Sequence, residues 1–334
     1  MASSLTPQPQ PALTRWYVDT RPLTSTTNTL PLLHTLRESD QTTVQKFYHL
    51  KDQHMSLVSQ LLKYLFIHRT CRIPWSEISI SRTPDPHRRP CFIPSGDSLA
   101  QGKIPEIEFN VSHQASMVAI VGTTISPPPP LRAPDSEGSM GWKKPEVGVD
   151  ITCVNERQNR SGEGRSLAAL EQYIDIFSEV FSGQEMGDMR ALTGASAEVR
   201  SSMDQLVDYG YRLFYTYWAL KEAYIKMTGE ALLAPWLREL EFSNVVAPGA
   251  ETGDGVFGQP YKGVMTTLHK AAVEDVRIEV VALEKDFLFA TAARGGGIGS
   301  GASGAGEDLW LPFEKLDIER DIGPCATGAC SCLS

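Results

Sequence analysis

The chain has 334 residues, 41% of them hydrophobic, six cysteines and a formal net charge of −9 at pH 7. That length and apolar content can bury a substantial core, as one large domain or two packed lobes. The acidic balance argues against nucleic acid as a general partner. No signal peptide or apolar run of membrane-spanning length appears, and six scattered cysteines do not suggest a disulfide scaffold, so the expectation is a cytosolic protein working off the membrane.

In chain order, a strand is expected over 15–19, a helix over 44–68 and strands near Ile78, Ile107 and Val118. A basic cluster, His87-Arg88-Arg89, precedes Pro90. The stretch Ile107-Glu108-Phe109-Asn110-Val111-Ser112-His113 alternates with period two, putting Ile107, Phe109 and Val111 inward and Asn110 and Ser112 opposite. Ser112 and His113 could donate hydrogen bonds to a phosphate, the imidazole more strongly if protonated. A Pro-rich linker follows from Pro127 to Gly141.

The next strand is Glu146-Val147-Gly148-Val149-Asp150-Ile151-Thr152, with the valines and Ile151 on one face and Gly148, Asp150 and Thr152 on the other. Gly148, lacking a side chain, would let the phosphates of a ligand approach the strand. A helix is expected over 167–181, and residues 182–208 are polar and longer than a simple connection should be. A second helix, over 209–228 with Gly229 as its C-cap, carries Trp218-Ala219-Leu220-Lys221-Glu222-Ala223-Tyr224-Ile225-Lys226. Glu222 and Lys226 share a helical face, so a metal ligand and a cation could meet one pyrophosphate. Alone, that pair reads as an ordinary surface salt bridge, and Asp150 as a strand-end cap.

Strands are then expected over 239–245, 261–269, 276–283 and 287–292. Residues 294–307 are rich in Gly, Ser and Ala, a composition expected to be disordered. A short apolar segment, 309–318, could dock back on the body. Cys325, Cys330 and Cys332 match neither a prenylation signal nor a paired metal-binding spacing, which leaves an unstructured tail with free thiols as the expectation.

The order Phe-Asn-x-Ser-His, then Gly-Val-Asp about forty residues on, then Trp-x-x-Lys-Glu-x-x-x-Lys resembles one family, the 4′-phosphopantetheinyl transferases of the Sfp type, in their fungal branch. The resemblance runs from Trp16-Tyr17-Val18-Asp19 through Phe47-Tyr48-His49, Arg89-Pro90 and the three motifs to Ala293. It implies an α/β (α+β) fold of two similar lobes, each a small, mainly antiparallel sheet with a long helix. The boundaries would be an N-terminal lobe over 1–125, a linker over 126–145, a C-terminal lobe over 146–293 and a flexible tail over 294–334. It also implies transfer of the phosphopantetheine arm of coenzyme A to a serine of acyl- or peptidyl-carrier domains by a monomer.

Carried over residue by residue, Asp150 and Glu222 would hold Mg²⁺, with Mn²⁺ as a possible substitute. Lys226 and Lys221 would contact the phosphates of coenzyme A, and Asp150, Glu222 and Lys226 would form the catalytic set. Ser112, His113 and Arg89 match coenzyme A-binding positions, and Arg88 is a second candidate from the same basic cluster. Where bacterial members usually have a second acid two residues after the first metal Asp, this chain has Thr152, which implies one fewer negative charge and an extra metal-bound water. Glu185 resembles an acidic position of the family, and 182–208 would be a mobile lid or insertion near the carrier site. Two other readings compete: a coenzyme A-binding scaffold without catalysis, and a Mg²⁺-dependent hydrolase of nucleotide pyrophosphates.

Overall fold

A computed structural model describes residues 12–85, 87–94, 104–125, 143–155, 165–230, 234–299 and 308–333. Residues 126–142 of the linker expected over 126–145, and the Gly-rich residues 300–307, lie outside these.

In the first lobe, β1 (Thr14–Asp19) leads through two short helices, α1 (Arg21–Thr26) and α2 (Glu38–Gln45), into the long α3 (Leu50–Cys71). The single helix expected over 44–68 is thus two, broken at 46–49. A small ribbon of β2 (Ile80–Arg82) and β3 (Pro90–Phe92) precedes the hairpin of β4 (Glu106–Gln114) and β5 (Met117–Ile125). The hairpin turns on Ala115 and Ser116, both at positive φ, the combination that matches the right-handed twist of the strands. β5 also pairs antiparallel with β1, Trp16 lying opposite Ile120.

The second lobe repeats this plan. β6 (Glu146–Cys153) leads through α4 (Leu167–Ile176), α5 (Gly183–Ala191) and α6 (Ala197–Arg200) to the long α7 (Met203–Thr228). A three-stranded ladder of β7 (Leu240–Ser243), β8 (Met265–Leu268) and β9 (Ala271–Ala272) follows, then the hairpin of β10 (Val276–Leu283) and β11 (Phe287–Arg294). The strand orders β1-β5-β4 and β6-β11-β10 are the same pattern of strand, helix and returning hairpin. The two lobes are similar in topology although no repeat is visible in the residues.

Alternation along the strands explains the layers. Trp16, Val18, Phe109, Val118 and Ile120 pack on α3, while their alternates Tyr17, Met117, Ala119 and Val121 face Val147, Val149, Ile151 and Phe289 of the second sheet. The other face of that sheet, with Ala290, Ala292 and Val280, packs on α7. The order is helix, sheet, sheet, helix, with the hydrophobic contribution spread over three buried clusters.

Two expectations change. Residues 182–208 are mostly helical, and their first turns are packed: Ser182 and Glu185 form a capping box on α5, Met186 and Met189 are buried, and Ser202 caps α7 six residues earlier than expected. The C-terminal segment is also structured. β12 (Glu314–Lys315) pairs in parallel with β1, a π-helical turn spans Ile318–Ile322, and α8 (Gly323–Ala326) buries Cys325 against the first lobe. No helix among the described residues is long and apolar enough to cross a membrane.

Candidate active site

The edges of the two sheets meet where β4 runs beside β6, and side chains replace a backbone ladder. Val149 N–H donates to Asn110 Oδ1 at 3.1 Å, Ile151 N–H to Ser112 Oγ at 3.2 Å, and Cys153 N–H to Gln114 Oε1 at 2.7 Å. Three alternate side chains of one strand thus satisfy three alternate amides of the other, which would otherwise be orphaned donors between the lobes.

Asp150 sits within this seam on the α7 face of β6 and is 5% exposed. Its Oδ2 accepts from Thr152 Oγ1 at 2.7 Å, and its Oδ1 accepts from Lys226 Nζ at 2.6 Å and from Ser112 Oγ at 3.3 Å. Lys226 also donates to Ser112 at 3.0 Å and lies 4.0 Å from Glu222, one turn back on α7. The ammonium therefore stands between the two carboxylates. Ser112 uses its one donor and both acceptor sites within the cluster. Thr152 acts on Asp150 directly, fixing its second oxygen.

Burial, and then the charge of Asp150, push the Glu222 carboxyl up to about 7 against the opposing pull of Lys226. Two carboxylates thus share one lysine in a poorly solvated seam, and their hard oxygens could hold a divalent cation. What approaches Gly148 is not a ligand but α7: a Cβ there would lie 2.1 Å from the Ala223 carbonyl and 2.4 Å from the Met227 nitrogen. The glycine lets the helix sit close enough for Glu222 and Lys226 to reach Asp150.

His113 is exposed on the other face of β4, toward α3. The surrounding protein mass, and then the charges of Lys226 and Lys63, hold its imidazole below the ordinary value. The reading of the sequence passed over Lys63. It is 7% exposed on α3, pulled down to about 8 by burial, and within electrostatic reach of Arg82. Ser56, Gln60 and Lys63 form a buried polar stripe on α3, and Gln60 Oε1 has no partner among the described residues. That stripe, at helical spacing, was the available signal. Lys226, Lys63 and Arg82 around His113 give an acidic chain a local basic lining suited to an anion.

Two expected residues are engaged elsewhere. Lys221 is fully buried beneath α7; its three N–H groups go to Glu185 at 2.9 Å, the Leu237 carbonyl at 3.0 Å and the Leu240 carbonyl. It faces away from Asp150 and has no donor left for a phosphate. Glu185, whose role the sequence left open, is its counter-ion. Arg89 bridges the lobes, donating to the carbonyls of Met227 at 3.2 Å and Val147 at 3.1 Å and pairing with Glu108 at 2.6 Å. His87 contacts the Gly229 carbonyl at 2.8 Å, so this loop caps the negative end of α7. Arg88 points to solvent.

Fold and site together define a two-lobed α/β enzyme whose acidic and basic groups converge at the seam between its lobes. Two family models match: "4′-phosphopantetheinyl transferase, N-terminal" over residues 22–125 and "4′-phosphopantetheinyl transferase superfamily" over 146–280. The chain is 67% identical to 4′-phosphopantetheinyl transferase NpgA of Emericella nidulans, over 97% of each chain. It is 54% identical to 4′-phosphopantetheinyl transferase A of Aspergillus fumigatus over 96% of each. A more distant relative, 24% identical over 78% of this chain and 68% of its own, is the L-aminoadipate-semialdehyde dehydrogenase-phosphopantetheinyl transferase of Rattus norvegicus. The chain belongs to the 4′-phosphopantetheinyl transferase family.

Proposed function

We propose that this protein moves the 4′-phosphopantetheine arm of coenzyme A onto a serine of acyl- or peptidyl-carrier domains, releasing adenosine 3′,5′-bisphosphate. The observation that carries this reading is the convergence of Asp150, Glu222 and Lys226 beside Ser112. In the reaction the serine oxygen bonds to the phosphorus of the pantetheine phosphate, the bond from that phosphorus to the bridging oxygen breaks, and the serine proton passes to a base.

Lys226, 28% exposed, neutralises charge that grows on the pyrophosphate as the leaving group departs. Glu222, its carboxyl raised by burial and by Asp150, is placed to take the serine proton. Thr152 and Ser112 hold Asp150 in one rotamer. The donor set fits Mg²⁺ or Mn²⁺: two hard carboxylates flank a lysine ammonium that acts as a stand-in cation, and Glu222 is shifted as a carboxyl short of positive charge is. Bound there, the ion would supply charge neutralisation on the pyrophosphate. Polyketide synthases, nonribosomal peptide synthetases and the aminoadipate reductase of lysine synthesis are the carriers proposed, the last supported by the name of the rat relative. A cytosolic monomer is the form in which we expect it to act.

Intact-mass spectrometry of an apo carrier domain incubated with the protein, coenzyme A and Mg²⁺ tests this. A phosphopantetheine-sized gain is expected, absent when the acceptor serine is alanine. Loss of coenzyme A without any carrier would support a hydrolase instead.

A further inference from the structure

The end of the chain brings three cysteines to one histidine. The ligand atoms of His68, Cys325, Cys330 and Cys332 all lie within 4.8 Å of one another, although His68 is on α3, 262 residues before Cys330. We infer that these four residues form a structural zinc site that pins the C-terminal segment to the first lobe.

The geometry suits a metal better than a disulfide. Cys325 Sγ and Cys332 Sγ are 3.7 Å apart, far beyond an S–S bond of about 2.05 Å. Two thiolates at about 2.3 Å from one tetrahedral ion would be separated by about 3.7–3.8 Å. His68 Nε2 lies 3.1 Å from Cys330 Sγ, so that pair has only to open slightly around the ion. The imidazole is already set for ligation. Its Nδ1 faces the Ile73 carbonyl at 2.7 Å and must donate there, which leaves the Nε2 lone pair aimed at the sulfurs.

Three sulfurs and one imidazole nitrogen make a closed tetrahedral set, the soft donors that select Zn²⁺ over Mg²⁺ or Mn²⁺. With three thiolates the site carries one net negative charge. Arg69 offsets it by hydrogen-bonding Cys325, while donating to the Asp321 carbonyl at 2.8 Å. The backbone N–H of Cys332 reaches the Cys330 sulfur. His68 and Cys325 are buried, Cys330 and Cys332 half-buried, and a cavity of about 570 Å³ lined by His34, Trp75, Cys325 and Cys330 opens onto the cluster as an entry path.

α8 has only four residues, and a metal held by Cys325, Cys330, Cys332 and His68 would cross-link it to α3. On binding, each thiol gives its proton to solvent and no oxidant is required. The sequence hid the site because the fourth ligand comes from a distant helix and not from a second Cys or His pair in the tail.

The test is the metal content of the full-length reduced protein, read by plasma mass spectrometry after gel filtration in Mg²⁺ buffer. One zinc per chain is expected, and replacement by Co²⁺ should give thiolate charge-transfer and tetrahedral ligand-field absorption. His68→Ala could disturb a buried helix, so Cys332→Ser, near the chain end, is the second variant. It should lose the zinc and the Co²⁺ spectrum, and proteolysis beyond Lys315 should become faster, while circular dichroism stays unchanged. A metal-free reduced chain that takes up no Co²⁺, or zinc content unchanged in Cys332→Ser and Cys330→Ala, would overturn the assignment. These readouts are independent of transferase activity.

Discussion

Lys221 and Lys226 lie on the same helix and have opposite fates. Five residues at about 100° each put their side chains about 140° apart, so they cannot serve one phosphate cluster together. Lys226 faces Asp150; Lys221 goes beneath the helix to Glu185. Lys221→Ala should strand a buried carboxylate and cost about 3–5 kcal/mol, measured by denaturant unfolding, with the folded fraction still transferring at the normal rate. Lys226→Ala leaves Asp150 with hydrogen bonds from Thr152 and Ser112, so it should cost less in unfolding than Lys221→Ala and slow transfer by about 10²–10³-fold. A Lys221→Ala protein of full stability with weakened coenzyme A binding would reverse these roles. Period-two and helical spacing showed which faces carry Asp150, Glu222 and Lys226, but their joint role came from the family resemblance. The family resemblance set Lys221 at the phosphates, whereas here its partner is Glu185 on a different helix.

Among the elements, β6 shows how packing decides function. Its alternation was readable, and both faces are as expected, but the purpose of Gly148 was not, because a sequence does not say what approaches a glycine. Gly148→Ala would drive a Cβ into the backbone of α7 and displace Glu222 and Lys226 from Asp150. We expect a loss of transfer together with a lower melting temperature; activity and stability like those of the parent would show that α7 has room to shift. The seam has its own test. Asn110→Leu leaves the Val149 N–H unsatisfied and should cost about 1–3 kcal/mol in denaturant unfolding, whereas no change would mean that water replaces the amide.

Over the whole molecule, the lobes are held together by contacts no local pattern announces. Arg15 pairs with Glu279 in the interior, Arg21 reaches Glu284 across the lobes at 2.7 Å, and the C-terminal segment crosses both, with Phe313 stacked on Phe257 and Asp308 bound by Arg277 and Lys262. A two-lobed fold followed from the family resemblance, but the duplication itself lives in strand order and leaves no trace in the residues. Hydrogen bonds from Arg277 hold the Asp308 carboxyl well below the usual range, and those from Arg21 lower Glu284. Because both folded values are depressed, their stabilisation is present above the unfolded carboxyl values of about 4 and is lost as pH falls through the folded ones. Asp308→Asn should therefore flatten the acid side of a melting temperature against pH curve; an unchanged acid slope would mean the pair is screened by solvent.

The central claim is that transfer chemistry belongs to the carboxylates and lysine at the lobe seam. Its most direct test is the single-turnover rate of transfer to one apo carrier, comparing the parent chain with Glu222→Gln at saturating coenzyme A and Mg²⁺, with unfolding measured alongside. The account predicts a rate at least about 10²-fold lower in a fully folded variant, as removal of a general base requires. A folded Glu222→Gln protein that transfers at the parent rate would contradict it.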